Sequence, residues 1–273
     1  MNLDGRHVVV TGGASGIGRA MAQRFAAEGA RGVVVADVDR DGARVVAAEI
    51  GPRALPVACD IGTDAGTVAL IDEAEAAFGP VDLFCANAGI GVGADIDTTD
   101  TDWDRSFAVN VRSHISAARR LVPGWVARGE GYLLVTASAA GLLTQIGAAP
   151  YAVTKNAAVA FAEWLSVTYG DRGVRVSCLC PMGVNTPLLA DGMELPGVAG
   201  AGLRHVAQMG AVLEPEDVAA TVVDALEREQ FLILPHPEVQ LFVTQKAADR
   251  DRWLAGMRGL QAQQMDMEAM IDG

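Results

Sequence analysis

Val8-Val9-Val10-Thr11-Gly12-Gly13-Ala14-Ser15-Gly16-Ile17-Gly18 is the stretch that decides the fold. Three β-branched residues in a row read as a strand buried on both faces rather than one with a wet side. The glycines that follow permit a tight turn and a close approach of backbone to a ligand. Residues 17–28 then read as a helix that stops at Gly29. A strand that turns through glycines into a helix brings free backbone N–H groups and the positive end of the helix dipole to one point. That point suits a pyrophosphate. The glycines fall at 12, 16 and 18, a different spacing from G-x-G-x-x-G.

Outward from this turn, apolar runs alternate with helical segments along the whole chain. Strands are expected at 7–11, 32–37, 55–59, 83–87, 132–137, 174–180 and 231–234. Helices are expected at 39–50, 64–78, 101–128, 150–169 and 216–229. The alternation predicts an α/β fold: a Rossmann-like, doubly wound parallel sheet with helices on both faces. Runs such as VVVA at 33–36 and LLV at 133–135 are continuous, as buried parallel strands require. No repeat and no linker interrupts the pattern, so residues 1–273 read as one domain.

Two segments stand outside the alternation. Residues 182–213 are rich in Gly, Ala, Leu and Met and lack strong periodicity. They follow the sixth strand, at the sheet edge where ligands bind, and read as a mobile substrate lid; the alternative is a surface loop with a short helix. Residues 237–273 form a helix-prone extension carrying Met257, Leu260, Met265, Met267 and Met270. Its apolar residues are expected to pack on the body or on a neighbouring subunit, away from the active site.

The bulk composition excludes several classes of function. A net charge of -13 without a basic cluster argues against nucleic acid. No apolar run approaches the ~18 residues of a membrane span, and the opening residues lack a signal-peptide layout. The four cysteines, Cys59, Cys85, Cys178 and Cys180, lack metal-ligand spacing and lie in apolar runs. Reduced thiols of this kind fit a cytoplasmic protein, and no metal site is expected.

Asp37 closes the second strand, where a carboxylate accepts hydrogen bonds from both adenosine ribose hydroxyls and repels a 2′-phosphate. With Ser15 in place of a basic residue in the turn, this favours NAD over NADP, although Arg40 lies nearby. Asp60, after the third strand, is placed to meet the adenine amino group; the alternative is a turn or N-cap residue. Tyr151-Ala152-Val153-Thr154-Lys155 sets a phenol and an ammonium at i and i+4, on one helix face. An ammonium there favours the phenolate and would lower the phenol's pKa, making an acid/base for alcohol–ketone chemistry.

With these residues in view, the chain resembles the short-chain dehydrogenase/reductase family over about residues 5 to 235. The resemblance is carried by TGGASGIG at 11–18, Asp60, NAG at 87–89, Asn110, Ser138, YAVTK at 151–155 and PMGVNTP at 181–187. It implies catalytic roles for Asn110, Ser138, Tyr151 and Lys155. Tyr151 would be the acid/base. Lys155 would lower its pKa and bind the nicotinamide ribose. Ser138 would hold the substrate oxygen, and Asn110 would hold a water linked to the lysine. It also implies NAD binding by Gly12, Ser15, Gly16, Ile17, Gly18, Asp37, Asp60, Ile61, Asn87, Ala88, Gly89, Tyr151, Lys155, Pro181, Gly183, Val184 and Thr186. Met182 departs from the family's PGxV form and leaves that loop's path open. Tetramers are common in the family, so a homotetramer or homodimer is expected, built through the alanine-rich helices at 101–128 and 150–169.

The substrate pocket is expected from Ile90, Val92, Leu142, Leu143, Ile146, Met182, Leu188, Leu189, Met193 and Leu203. Such a lining suits a hydrophobic secondary alcohol or ketone: alicyclic, terpenoid, steroid-like or aryl. No Arg or Lys stands ready to clamp a carboxylate or phosphate, except Arg204 if the lid folds inward. His114 and His205 read as packed or solvated. The same chemistry on a sugar-like, 3-oxoacyl or diketone substrate is the second reading, and a non-catalytic dinucleotide sensor the third. The intact set of four catalytic residues argues against the sensor.

Overall fold

The computed structural model describes residues 1–271, and side chains through residue 266. Met267 and Met270 therefore lie outside the described side chains. Seven strands form one parallel sheet in the order β3-β2-β1-β4-β5-β6-β7. They are β1 (His7–Thr11), β2 (Gly32–Asp37), β3 (Ala54–Ala58), β4 (Leu83–Ala86), β5 (Gly131–Thr136), β6 (Val174–Leu179) and β7 (Leu232–Ile233). The order reverses between β1 and β4, which pair from Val8–Leu83 to Val10–Cys85. A crevice opens beyond the carboxyl ends of strands at such a reversal, and ligands bind there.

The continuous apolar runs have the predicted consequence. Val9 and Val34 enter one core, while Val8, Val10, Val33 and Val35 enter another on the opposite face. All six are fully buried, because successive side chains of a strand point to opposite faces. Cys178 and Cys180 both enter the first core, with their sulfurs 3.8 Å apart, as two residues at i and i+2 should. Helices α1 (Gly16–Ala27), α2 (Arg40–Ile50) and α3 (Asp64–Phe78) cover the first half of the sheet. The N-caps of α2 and α3 are local: Asp39 accepts from the Gly42 N–H and Thr63 from the Gly66 N–H.

Two segments differ from expectation. The single helix expected at 101–128 is α4 (Asp100–Phe107) and α5 (Ser113–Arg128), joined by a π turn at Ala108–Arg112. The extra residue of the turn carries the fully buried Asn110. Such turns cluster at functional sites. The segment after β6 is two helices, α8 (Pro187–Met193) and α9 (Gly197–Met209), where an aperiodic lid was expected. Thr186 caps α8 through the Leu189 N–H, and Pro187 fills its first turn. Between α5 and α8 come α6 (Ala139–Leu143) and α7 (Ala149–Tyr169), and α10 (Pro215–Glu227) precedes β7. The chain then continues as α11 (Glu238–Ala248) and α12 (Arg250–Ile271). Among the described residues, no helix is long and apolar enough to cross a membrane.

Candidate active site

A cavity of about 970 Å³ runs along the carboxyl ends of the strands. At one end its walls come from the turn after β1, from Asp37, Asp60 and Ile61, and from Asn87, Ala88 and Gly89 after β4. Gly12 holds φ at +64°, and a Cβ there would lie 2.9 Å from the Ala88 Cα. Any side chain would wedge the two loops apart. A Cβ at Gly89 would likewise lie 2.9 Å from the Lys155 ammonium nitrogen.

The polar groups at this end fit a dinucleotide. Ser15 precedes α1 without capping it by its side chain, and it lines the cleft together with the first residues of the helix. Asp37 already accepts from the Ala14 and Asp39 N–H groups, one per oxygen, at 3.0 Å each. A carboxylate offers about four acceptor positions, so two bonds leave capacity for ribose hydroxyls. Asp60 lines the cleft and accepts from the Gly62 N–H at 2.9 Å, the turn role that was its alternative. Asn87 donates to the Thr11 carbonyl at 3.0 Å and ties β4 to β1.

The four expected catalytic residues converge from three elements. Ser138 caps α6 at the end of β5, with its oxygen accepting from the Ala140 N–H at 3.1 Å. It lines the same cavity as Tyr151. Lys155 is 2% exposed and donates to the Thr136 carbonyl at 2.8 Å. Its nitrogen lies 5.6 Å from the centre of the Tyr151 ring. Asn110 reaches Ile90 and Thr154 from behind the cavity wall.

The electrostatics depart from the sequence expectation. Burial pushes the Tyr151 phenol up, opposed by the nearby Ser138 hydroxyl. The depression expected from Lys155 is not found: burial of the phenolate is the largest influence, and Ser138 rather than the ammonium opposes it. Burial also lowers the Lys155 ammonium to about 8, partly offset by the nearby Cys178 and Cys180 thiols. His114 is 1% exposed and pushed down to about 3 by burial, with the Lys155 charge adding to the effect. It is a packed, neutral residue.

Two of the named residues stand outside the cavity lining. Asn110 is spent on the backbone behind it. The Gly183 carbonyl accepts from the Leu213 N–H at 3.1 Å and lies 3.1 Å from His236 Nε2. His236 went unremarked in the sequence and settles the path of the Met182 loop. Its Nδ1 accepts from the Met182 N–H at 3.1 Å, while Nε2 meets the Gly183 and Ala211 carbonyls. A lone histidine in the run Leu234-Pro235-His236-Pro237 offers no pattern that would reveal this role.

The other end of the cavity is apolar. Ile90, Leu143, Ile146, Met182, Leu188, Leu189 and Leu203 line it as expected. Val92, Leu142 and Met193 do not. Leu142 turns into the core with its carbonyl accepting from Lys246 at 2.6 Å. The C-terminal extension, expected away from the site, lines this end with Phe242, Trp253, Met257 and Leu260.

This arrangement can be set beside known proteins. A family model described as short chain dehydrogenase matches residues 6–194. The chain belongs to the short-chain dehydrogenase family. This dehydrogenase is 36% identical over 248 residues to 1-deoxy-11-beta-hydroxypentalenate dehydrogenase of Streptomyces exfoliatus, covering 88% of this chain and 86% of that protein. It is 35% identical over 224 residues to 3beta-hydroxysteroid dehydrogenase 1 of Eggerthella lenta, covering 80% and 85%. A short-chain dehydrogenase/reductase from Burkholderia phymatum, solved in complex with NAD, superposes with a TM-score of 0.84 at 30% identity, covering 92% of this chain and 96% of that one. The dehydrogenase is thus an oxidoreductase of hydroxyl groups that uses a nicotinamide dinucleotide and a small-molecule substrate.

Proposed function

We propose that this dehydrogenase uses NAD(H) to interconvert a hydrophobic secondary alcohol and its ketone. The observation that carries the reading is that Ser138, Tyr151 and Lys155 meet on one cavity whose far walls are apolar. When bound, the nicotinamide supplies the hydride acceptor for oxidation or the hydride donor for reduction.

In oxidation, Tyr151 takes the hydroxyl proton of the alcohol through its phenolic oxygen; in reduction it returns one. Ser138 holds the same substrate oxygen and stabilises the charge that develops on it. Lys155 places a cation behind the tyrosine and is near enough to Gly89 to meet a ribose hydroxyl. Asn110 fixes Ile90 at the cavity wall. The dinucleotide is held by Gly12, Ser15, Gly16, Ile17 and Gly18 at the phosphates, and by Asp37, Asp60 and Ile61 at the adenosine. Asn87, Ala88 and Gly89 border the middle. Pro181, Val184 and Thr186 line the nicotinamide end, with Gly183 keeping that loop in place.

Asp37 supports NAD over NADP, as does the NAD bound by the Burkholderia relative. The hydroxypentalenate and hydroxysteroid in the names of two relatives support a ring-bearing, apolar substrate. Val153, Trp164 and Val167 of α7 are 47%, 55% and 86% exposed. Such a stripe supports a homotetramer or homodimer, checked by sedimentation. Four free cysteines support a cytoplasmic setting.

The test is NADH formation from NAD with a panel of small aliphatic, cyclic terpene, aryl and steroid alcohols, with polyols for contrast. Tyr151→Phe is the control. Turnover of bulky apolar alcohols that vanishes in the variant is the expected result. Silence across the panel with NADH still bound would favour sugar-like, 3-oxoacyl or diketone substrates, and then a sensor.

A further inference from the structure

The cavity's far wall comes from a part of the chain that the family match does not reach. Trp253, Met257 and Leu260 stand at i, i+4 and i+7 on α12 and so share one face. That face meets the cavity and packs on α9, whose Leu203, Val206 and Met209 line the same space. All of these residues lie beyond residue 194, where the family match ends.

The wall is anchored to the catalytic part of the molecule. Val239 of α11 is fully buried in a small core with Ala139 and Leu143 of α6. Lys246, later on α11, donates to the Leu142 carbonyl of α6 at 2.6 Å. The Phe242 and Trp253 rings lie 6.4 Å apart and join α11 to α12. Because α6 starts at the residue after Ser138, the extension is tied directly to the segment that presents the serine hydroxyl.

From these contacts we infer that the C-terminal helices are the specificity wall of the substrate cavity, with Trp253 and Met257 setting the size of the alcohol accepted. The inference rests on the reading of this cavity as an alcohol site. The chemistry of the wall favours a neutral, ring-bearing substrate. Among the described residues, the cavity lining from residue 187 onward has only Asp191 and His205 as ionisable groups. Neither supplies a cation for a carboxylate: one is acidic, and burial lowers the other's affinity for a proton. A wall of indole, thioether and leucine surface discriminates by shape. In apolar pockets a one-methylene misfit is worth about tenfold or more in specificity.

Two full-length variants test this in opposite directions. Met257→Trp narrows the wall, and Trp253→Ala opens it. The quantity read is the ratio of kcat/KM for a steroid alcohol to that for cyclohexanol. We expect Met257→Trp to lower the ratio by about tenfold and Trp253→Ala to shift it toward larger alcohols. Ratios within about twofold of the parent in both variants, whatever the absolute rates, would overturn the inference. If the parent oxidises neither alcohol, the proposed reaction fails, and the wall is then read by calorimetric binding of the steroid to the NADH-loaded protein. Binding about tenfold weaker in Met257→Trp would sustain the wall. An unchanged Kd, or no steroid binding by the parent, would reject it.

Discussion

Asn110 and Ile90 hold each other by a reciprocal pair of hydrogen bonds. The Ile90 N–H donates to Asn110 Oδ1, and Asn110 Nδ2 donates to the Ile90 carbonyl, both at 2.9 Å. Asn110 Nδ2 also reaches Thr154 Oγ1 at 3.0 Å. One amide in the π turn thus fixes the cavity wall after β4 and the helix that carries Tyr151 and Lys155. Replacing it by Leu leaves the backbone groups of Ile90 without these partners. The expected cost is about 2 kcal/mol, the low end for two unpaired groups at about 1–3 kcal/mol each, because Ile90 is half-buried. Urea unfolding measures it, and a loss below about 1 kcal/mol would show that the wall repairs itself.

Lys155 links activity to stability. Its pKa is about 8 in the folded protein, below the ordinary 10.5. Between these values the unfolded chain binds more protons, so stability rises with pH across that window. Below about pH 8 the folded protein bears the full cost of a buried ammonium. Lys155→Met is therefore expected to abolish turnover yet raise stability at pH 7 by about 2 kcal/mol. The figure takes about 3 kcal/mol for the relieved shift and subtracts about 1 kcal/mol for the lost bond to Thr136. Thermal melts should show the gain shrinking toward pH 10. A gain that does not depend on pH would remove the electrostatic explanation.

Tyr151 predicts opposite pH profiles for the two directions of the reaction. Burial raises the phenol above its ordinary value. The protonated form needed for reduction is therefore abundant at neutral pH, and the phenolate needed for oxidation is scarce. Oxidation rates should climb with pH from 7 to 10, while reduction rates should hold and then fall. Superimposable profiles in the two directions would contradict the acid/base role.

Asp37 supports the glycine turn and stands at the proposed ribose site, and its removal should test both roles. Its carboxylate accepts from the Ala14 N–H of the glycine turn, and the residue also lines the cleft. Asp37→Ala should weaken binding of both dinucleotides, and NAD more than NADP, because only the NADP complex is relieved of charge repulsion. Fluorescence titration with NADH and NADPH separates the two effects. An equal loss for both would leave only the structural job.

Much of this was legible because buried parallel strands leave a coarse imprint. Runs such as Val33-Val34-Val35 have no polar face, and the glycine turn at 12–18 has few other uses. The π turn was not legible. Its one extra residue does not disturb the apolar pattern of 101–128, and only the oddity of an amide at Asn110 hinted at it. Helices α8 and α9 were hidden because Gly and Ala give little contrast between faces, although Thr186-Pro187 is a cap followed by a first-turn proline. Met257 and Leu260 were visible as apolar residues, and Trp253 completes their spacing. Spacing states that residues share a face but not what the face meets, which is decided by packing over long sequence separation.

The division of the cavity along the chain has a consequence for inheritance. Its chemical floor is written between residues 11 and 186, and much of its far wall after residue 195. If that wall sets specificity, changes after residue 195 reshape what the cavity admits while leaving Ser138, Tyr151 and Lys155 untouched. A lineage built this way can explore new substrates without first becoming inactive.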